Sequence, residues 1–257
     1  MDLFRYDFGY EWPWTLGHLM GAALFALAAY AAWRVSRPRL ALVCSALVVW
    51  AVAGAAIVNL VLGFSLPIAL PTARFLESGS GRVLDAGAGS GRSSLMVLLA
   101  RPAATVTALD IFGAEYGIGG NSPSRLLANA RAAGAEARVD VQVGDMRAMP
   151  FPPASFDGAV SAFAIDHLRQ ADVERTFAEM ARVVKPGGDF LLLVINQDAW
   201  IRTALPFLVH HGYFGGRANA DRWRAQLTAA GFDVVEQGTQ PGTLYYLARN
   251  LGDRRIP

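Results

Sequence analysis

The chain has 257 residues, with 23 Lys/Arg against 21 Asp/Glu and a net charge of +2; the signs are interspersed, with no basic block or aromatic-basic stripe, so no nucleic acid partner is expected. A single cysteine, Cys44, excludes an intramolecular disulfide, a cysteine-based metal cluster and a cysteine relay. The four histidines (His18, His167, His210, His211) share no zinc-ligand spacing with a carboxylate partner, so no metal is expected.

The charge is unevenly spread. Between Trp12 and Ala73 the only charged residues are Arg34, Arg37 and Arg39, whereas from Pro71 onward 19 Lys/Arg balance 18 Asp/Glu as in a soluble protein. Residues 1–70 therefore read as a membrane-associating helical segment and residues 71–257 as a separate domain of ordinary globular composition. Two apolar runs, 14–33 and 40–62, are each long enough at about 1.5 Å per helical residue to cross a hydrocarbon core of about 30 Å. Both are expected to be transmembrane helices, since neither has the polar stripe of a buried helix in a globular protein. Tyr10 and tryptophans at one end, with Trp33 and Arg34 at the other, fit interfacial anchoring. A cleaved signal peptide would need a basic start, but Asp2, Asp7 and Glu11 stand there instead. If both runs cross, the positive-inside rule puts the arginine loop in the cytoplasm and the C-terminal domain outside. A domain that draws on cytoplasmic metabolites has to face the other way. The expectation is therefore a bacterial-type inner membrane with the C-terminal domain facing the cytoplasm, reached by a hairpin that breaks the rule or by one crossing plus a re-entrant segment.

Residues 82–91 read RVLDAGAGSG: a short aliphatic strand, then Asp85, Gly87, Gly89 and Gly91, followed by the helix-forming SSLMVLLA. Such a strand-to-helix turn uses glycines because the backbone must take positive φ and approach a ligand with no Cβ in the way. Dinucleotide sites have a related shape. The spacing G-x-G-x-G and the acid two residues before the first glycine favour S-adenosylmethionine (SAM).

At these residues the chain resembles the class I SAM-dependent methyltransferases, and later segments extend the resemblance in order. ATVTALD is a second strand ending in Asp110; RVDVQVGDMRAMPFPPASFD supplies a third strand ending in Gly144, Asp145 and Met146; FDGAVSAFAIDHL follows as the fourth. ARVVKPGGDFLLLVIN looks like the helix, K-P-G-G turn and fifth strand of the ubiquinone and menaquinone C-methyltransferases, with Gly187 and Gly188 capping the helix. The resemblance implies a Rossmann-like α/β fold, a seven-stranded sheet with helices on both faces. A late helix is expected at 220–230, strand six at 233–236 and strand seven at 243–248, the last pair antiparallel. It also implies SAM as cofactor, held by Asp85, Gly87, Ala88, Gly89 and Gly91, by Asp110 and Ile111 at the ribose, by Gly144, Asp145 and Met146 at the adenine, and by Ala162.

Methyl transfer from a sulfonium disperses charge, so a base matters only when the acceptor must lose a proton. His167, in the segment IDHL after strand four, is the leading candidate base because a neutral imidazole accepts a proton near pH 7. Asp166 and Tyr116 are the alternatives. Tyr116 lies in a glycine-rich loop at the sheet's carboxyl edge, and His210, His211 and Tyr213 lie in an insertion after strand five that is expected to line the acceptor pocket. The apolar front end suggests a lipid-like acceptor: a quinone, an isoprenoid or a lipid headgroup. A small soluble acceptor such as a thiol is the competing reading, and a membrane-tethered SAM-binding sensor is the alternative from another class.

Overall fold

The computed structural model describes residues 5–113, 119–206 and 220–252. Ahead of the sheet come the helices α1 (Trp12–Thr15), α2 (Gly17–Arg34) and α3 (Pro38–Ala56), the last prolonged by a π-helical turn, Ile57–Val61. Then follow β1 (Ser80–Ala86), α4 (Arg92–Ala100), β2 (Ala103–Asp110), α5 (Pro123–Ala132), β3 (Val139–Val143), β4 (Phe156–Ala162), α6 (Gln170–Val183), β5 (Val184–Ile195), α7 (Ala199–Ala204), α8 (Ala220–Ala229), β6 (Phe232–Gln240) and β7 (Thr243–Asn250). Among the described residues the strands form one seven-stranded sheet in the order β3-β2-β1-β4-β5-β7-β6. β7 alone runs opposite to the other six strands. This is the Rossmann-like architecture expected, with helices on both faces.

Strand alternation divides the core in two. Phe190, Leu192 and Val194 of β5 meet Phe177 and Met180 of α6 and Trp223 and Leu227 of α8 on one face, whereas Leu191 and Leu193 join Leu95, Leu98 and Leu126 from α4 and α5 on the other. With both faces covered, β5 has an uninterrupted apolar run rather than an alternating one. α6 shows the complementary pattern: Val173, Thr176, Phe177, Met180 and Val183 are buried at helical spacing.

Two expectations about the late elements change. Gly187 and Gly188 do not cap α6, which ends at Val183 and passes directly into the extended Val184. β4 pairs through Phe156 with Val184 and then through Gly158 with Asp189, so residues 185–188 form an irregularity within β5, with Gly187 at φ +80. β6 is also longer than the stretch 233–236, because pairing with β7 extends it from Phe232 to Gln240.

The front end is a helical hairpin whose α2 and α3 pack along each other, with Gly54 so close to His18 that a Cβ there would fall 2.2 Å from the ring. The expectation of two spanning helices is corrected. Among the described residues one helix, Pro38–Val61, is long and apolar enough to cross a membrane, with 24 residues and a mean hydropathy of 2.5. The first run breaks at Leu16, and what continues as α2 has 18 residues, with His18 near one end and Arg34 at the other. The hairpin is tied to α7 and its open end is closed on α1. Trp50 Nε1 donates to Thr203 O at 2.8 Å, and Asn59 Nδ2 donates to Thr15 O at 3.1 Å. Ile57 and Val58 are buried against Ile201, Ala204 and Leu205. The segment ahead of α1 is also docked: Phe8 is buried, its carbonyl accepts from Ser90 Oγ at 2.8 Å, and Asn129 Nδ2 donates to Asp7 O and Ser90 O.

Candidate functional site

The site forms where β1, β2, β3 and β4 end, at the carboxyl edge beside the switch between β1 and β4. After Ala86 the chain turns through Gly87 (φ +79), Gly89 (φ +52) and Gly91 (φ +89), and α4 starts at once. Gly87 also has no room for a side chain, since a Cβ would lie 2.4 Å from that of Ala164. The turn is tied to the end of β2. Gly87 N and Ala88 N donate to Leu109 O, and Gly89 N donates to Asp110 Oδ2 at 2.8 Å.

Asp85 lies beneath the turn, fully buried, and accepts from Ser93 Oγ at 2.8 Å and Ser94 Oγ at 2.6 Å. Burial pushes its carboxyl up to about 6 against the pull of the two serine hydroxyls, and the charge of Asp110 pushes the same way. Asp85 is thus a brace that fixes the first turn of α4, and neither it nor Gly91 is part of the cavity lining.

Gly87, Ala88, Gly89, Asp110, Ile111, Gly144, Asp145, Met146 and Ala162 line one cavity of about 580 Å³, so nine residues expected from separate motifs meet in a single space. Its size suits a small-molecule site. Asp110 Oδ1 accepts from Asn121 Nδ2 at 3.5 Å, and the Asn121 oxygen is buried with no hydrogen-bond partner. Asp145 is gripped by Arg147, whose Nη2 lies 2.7 Å from Oδ2; those hydrogen bonds hold its carboxyl below the usual range.

His167 lines the cavity from a 3-10 turn after β4, and Asp166 does not. The Asp166 side chain turns toward the end of β5, where Oδ2 accepts from Ile195 N at 3.0 Å. Its burial raises the carboxyl's pKa, and the charge of adjacent His167 opposes that rise. Asp166 braces the turn that carries His167. Tyr116, His210, His211 and Tyr213 lie outside the described residues.

The rest of the lining comes from the front end. Tyr10, Trp14 and residues 60–64 and 66–69 face the glycine turn, with Phe163, Leu168, Ile201 and the β6–β7 turn at residues 240–243 completing the wall. One side chain holds this wall in place. Arg92, the first residue of α4, donates through Nη2 to Leu62 O and Gly63 O and through Nε to Leu66 O, all at 2.8 Å. Its guanidinium lies 5.8 Å from the rings of Tyr10 and Phe64, which stack on each other at 4.6 Å.

Residues 83–188 match a family model described as a methyltransferase domain. This segment of the chain is similar to class I SAM-dependent methyltransferases. The chain is 39% identical over 117 residues to a ubiquinone/menaquinone biosynthesis C-methyltransferase of Methylobacterium nodulans, covering 45% of this chain and 42% of that one. It is 34% identical over 124 residues to 24-methylenesterol C-methyltransferase 2 of Oryza sativa, covering 48% of this chain and 30% of that one. The chain therefore spans less than half of either relative. A solved SAM-dependent methyltransferase from Methanosarcina mazei superposes with a TM-score of 0.56 at 19% identity, covering 72% of this chain and 99% of that one, which shows the shared fold.

SAM is the cofactor of the class I methyltransferases, and the cavity fits it on its own chemistry. The Asp110 carboxylate and the unpartnered Asn121 oxygen offer acceptors for hydroxyl groups, while the α4 N-terminus and the glycine turn admit a ligand close to the backbone. Sequence reasoning missed Asn121, Arg92 and the wall at residues 60–69. Asn121 could have been noticed as the polar residue that ends the glycine-rich loop. The wall had no local signature, because its residues read only as the tail of an apolar run.

Proposed function

We propose that this chain is a membrane-anchored methyltransferase that transfers the methyl group of SAM to an apolar, lipid-like acceptor: a quinone, an isoprenoid or a lipid headgroup. The observation that carries this reading is continuity. One cavity joins the glycine turn and Asp110 to Trp14, Leu60 and Leu62, at the end of the helix that is apolar enough to cross a bilayer. The names of the quinone and sterol C-methyltransferase relatives support the same acceptor class. Residues 1–70 act as the membrane segment of an inner-membrane protein, and residues 71–257 form the catalytic domain on the cytoplasmic side, where SAM is available.

In this reading Asp110, seconded by Asn121, takes the ribose hydroxyls of SAM, and Gly144, Asp145 and Met146 flank its adenine. SAM supplies an electrophilic methyl, whose bond to sulfur breaks with the electron pair kept by sulfur while a bond to an acceptor carbon or oxygen forms. His167 takes the proton that the acceptor gives up. Phe163, Leu168 and Ile201 keep water from the reacting atoms.

The test incubates purified full-length protein with methyl-labelled SAM and either extracted membrane lipids or a small-molecule extract. Label in the lipids, lost in Asp110→Ala together with SAM binding, is the expected result. Label confined to the small-molecule pool refutes the lipid reading, and SAM binding without release of S-adenosylhomocysteine in either case refutes the enzyme reading.

A further inference from the structure

Leu60 and Val61 have two environments at once. They line the cavity, yet they remain 63% and 37% exposed, on the same helix as the outward-facing Leu42, Val49 and Val52. Trp14 stands beside them at the same rim, packed against the buried Ile57–Val58 turn. No charged residue lies in the chain between Arg39 and Ala73, and the guanidinium that reaches this segment, that of Arg92, is engaged by the carbonyls of Leu62, Gly63 and Leu66. The same cavity carries the carboxylates of Asp110, where β2 ends, and of Asp145, just after β3.

We infer that the acceptor enters sideways from the bilayer past Trp14 and Leu60, its head reaching His167 while its apolar tail stays along Leu60 and Val61 among the lipid chains. The inference rests on the lipid-like acceptor proposed above and adds to it a route and a shape: a compact reactive head on an aliphatic tail. The hairpin is then the selecting wall of the site as well as its anchor. A head lacking a tail forgoes both the partition into the membrane and the contact with the rim.

Two measurements test it in phosphatidylcholine vesicles. In a Cys44→Ala background, an environment-sensitive fluorophore attached at Leu60→Cys should be quenched strongly by spin-labelled acyl chains. The same fluorophore at Val143→Cys, equally exposed at 68% but at the far edge of the sheet, should not be. Second, a hydroquinone with a ten-carbon tail should show an apparent KM at least about tenfold below that of the tailless compound. Leu60→Glu should erase most of that difference with the KM for SAM unchanged. An unquenched fluorophore at position 60 overturns the lateral route whatever the methylation result. Equal KM values for the two hydroquinones, or a tail preference that survives in Leu60→Glu, overturn the role of the rim. Quenching at position 60 with neither hydroquinone methylated upholds the route and counts against the quinone form of the acceptor reading alone.

Discussion

Arg92→Met removes the guanidinium that joins the cofactor turn to the hairpin's end, while keeping an apolar stem of similar length. Three carbonyls, those of Leu62, Gly63 and Leu66, lose a charged donor at 2.8 Å. Hydrogen bonds to a charged group contribute about 1.5–3 kcal/mol each, but the three share one side chain and the partly exposed carbonyls can rehydrate, so the net loss is about 3 kcal/mol. The loss should be local. The amides of Leu62, Phe64 and Leu66 donate to Ile57 O, Val58 O and Gly63 O, and they report whether this segment opens. A loss of 3 kcal/mol corresponds to roughly a hundredfold drop in their hydrogen-exchange protection, with β1 and β4 amides unchanged. Exchange mass spectrometry on the protein in nanodiscs measures it. Arg92→Lys keeps the charge but not the planar fork, and should fall between the two. Wild-type protection at residues 62–66 in Arg92→Met would refute the clamp, and with it the claim that the wall depends on α4.

Gly242 sits at φ +69 in the β6–β7 turn, and a Cβ there would fall 2.8 Å from Leu62 Cδ2; Gly242→Ala should cost about 1–3 kcal/mol in denaturant unfolding, and pairing it with Leu62→Ala should recover part of that in a double-mutant cycle. Asp85, pushed up to about 6, holds its proton more tightly folded than unfolded, so its ionisation penalty is fully present above pH 6 and fades as pH falls toward 4. Asp85→Asn does not ionise there, and its stability relative to wild type should be more favourable at pH 8 than at pH 4 by up to roughly 3 kcal/mol; a difference that stays constant with pH contradicts the assignment. His167→Asn should lower kcat by about a hundredfold or more with the SAM Kd within about twofold, and an undiminished kcat would show that the acceptor's proton leaves by another path.

The glycine turn at one end of the cavity was legible in the sequence because its requirements are local. Gly87, Gly89 and Gly91 do take positive φ between a strand and a helix, and the strand-ending Asp110 reaches back to Gly89, as a parallel sheet with short turns dictates. The same reasoning failed at Gly187 and Gly188. There a helix C-cap and a strand irregularity want the same residue, and the pairing of β4 with β5 decided between them.

The sequence by itself determined the division into an apolar front and a charged domain, the order of the strands along the chain, and which residues could turn around a ligand. Tertiary structure decided which of them face one another. The apolar run revealed hydrophobicity but not that residues 60–69 would become a wall of the cavity, because that follows from Arg92 meeting three carbonyls some 26–30 positions away. It also separated His167, in the lining, from Asp166, turned toward Ile195, a distinction that neighbours in sequence cannot express. Local chemistry is set by residue type and spacing; a pocket wall is set by long-range packing, which no single segment encodes.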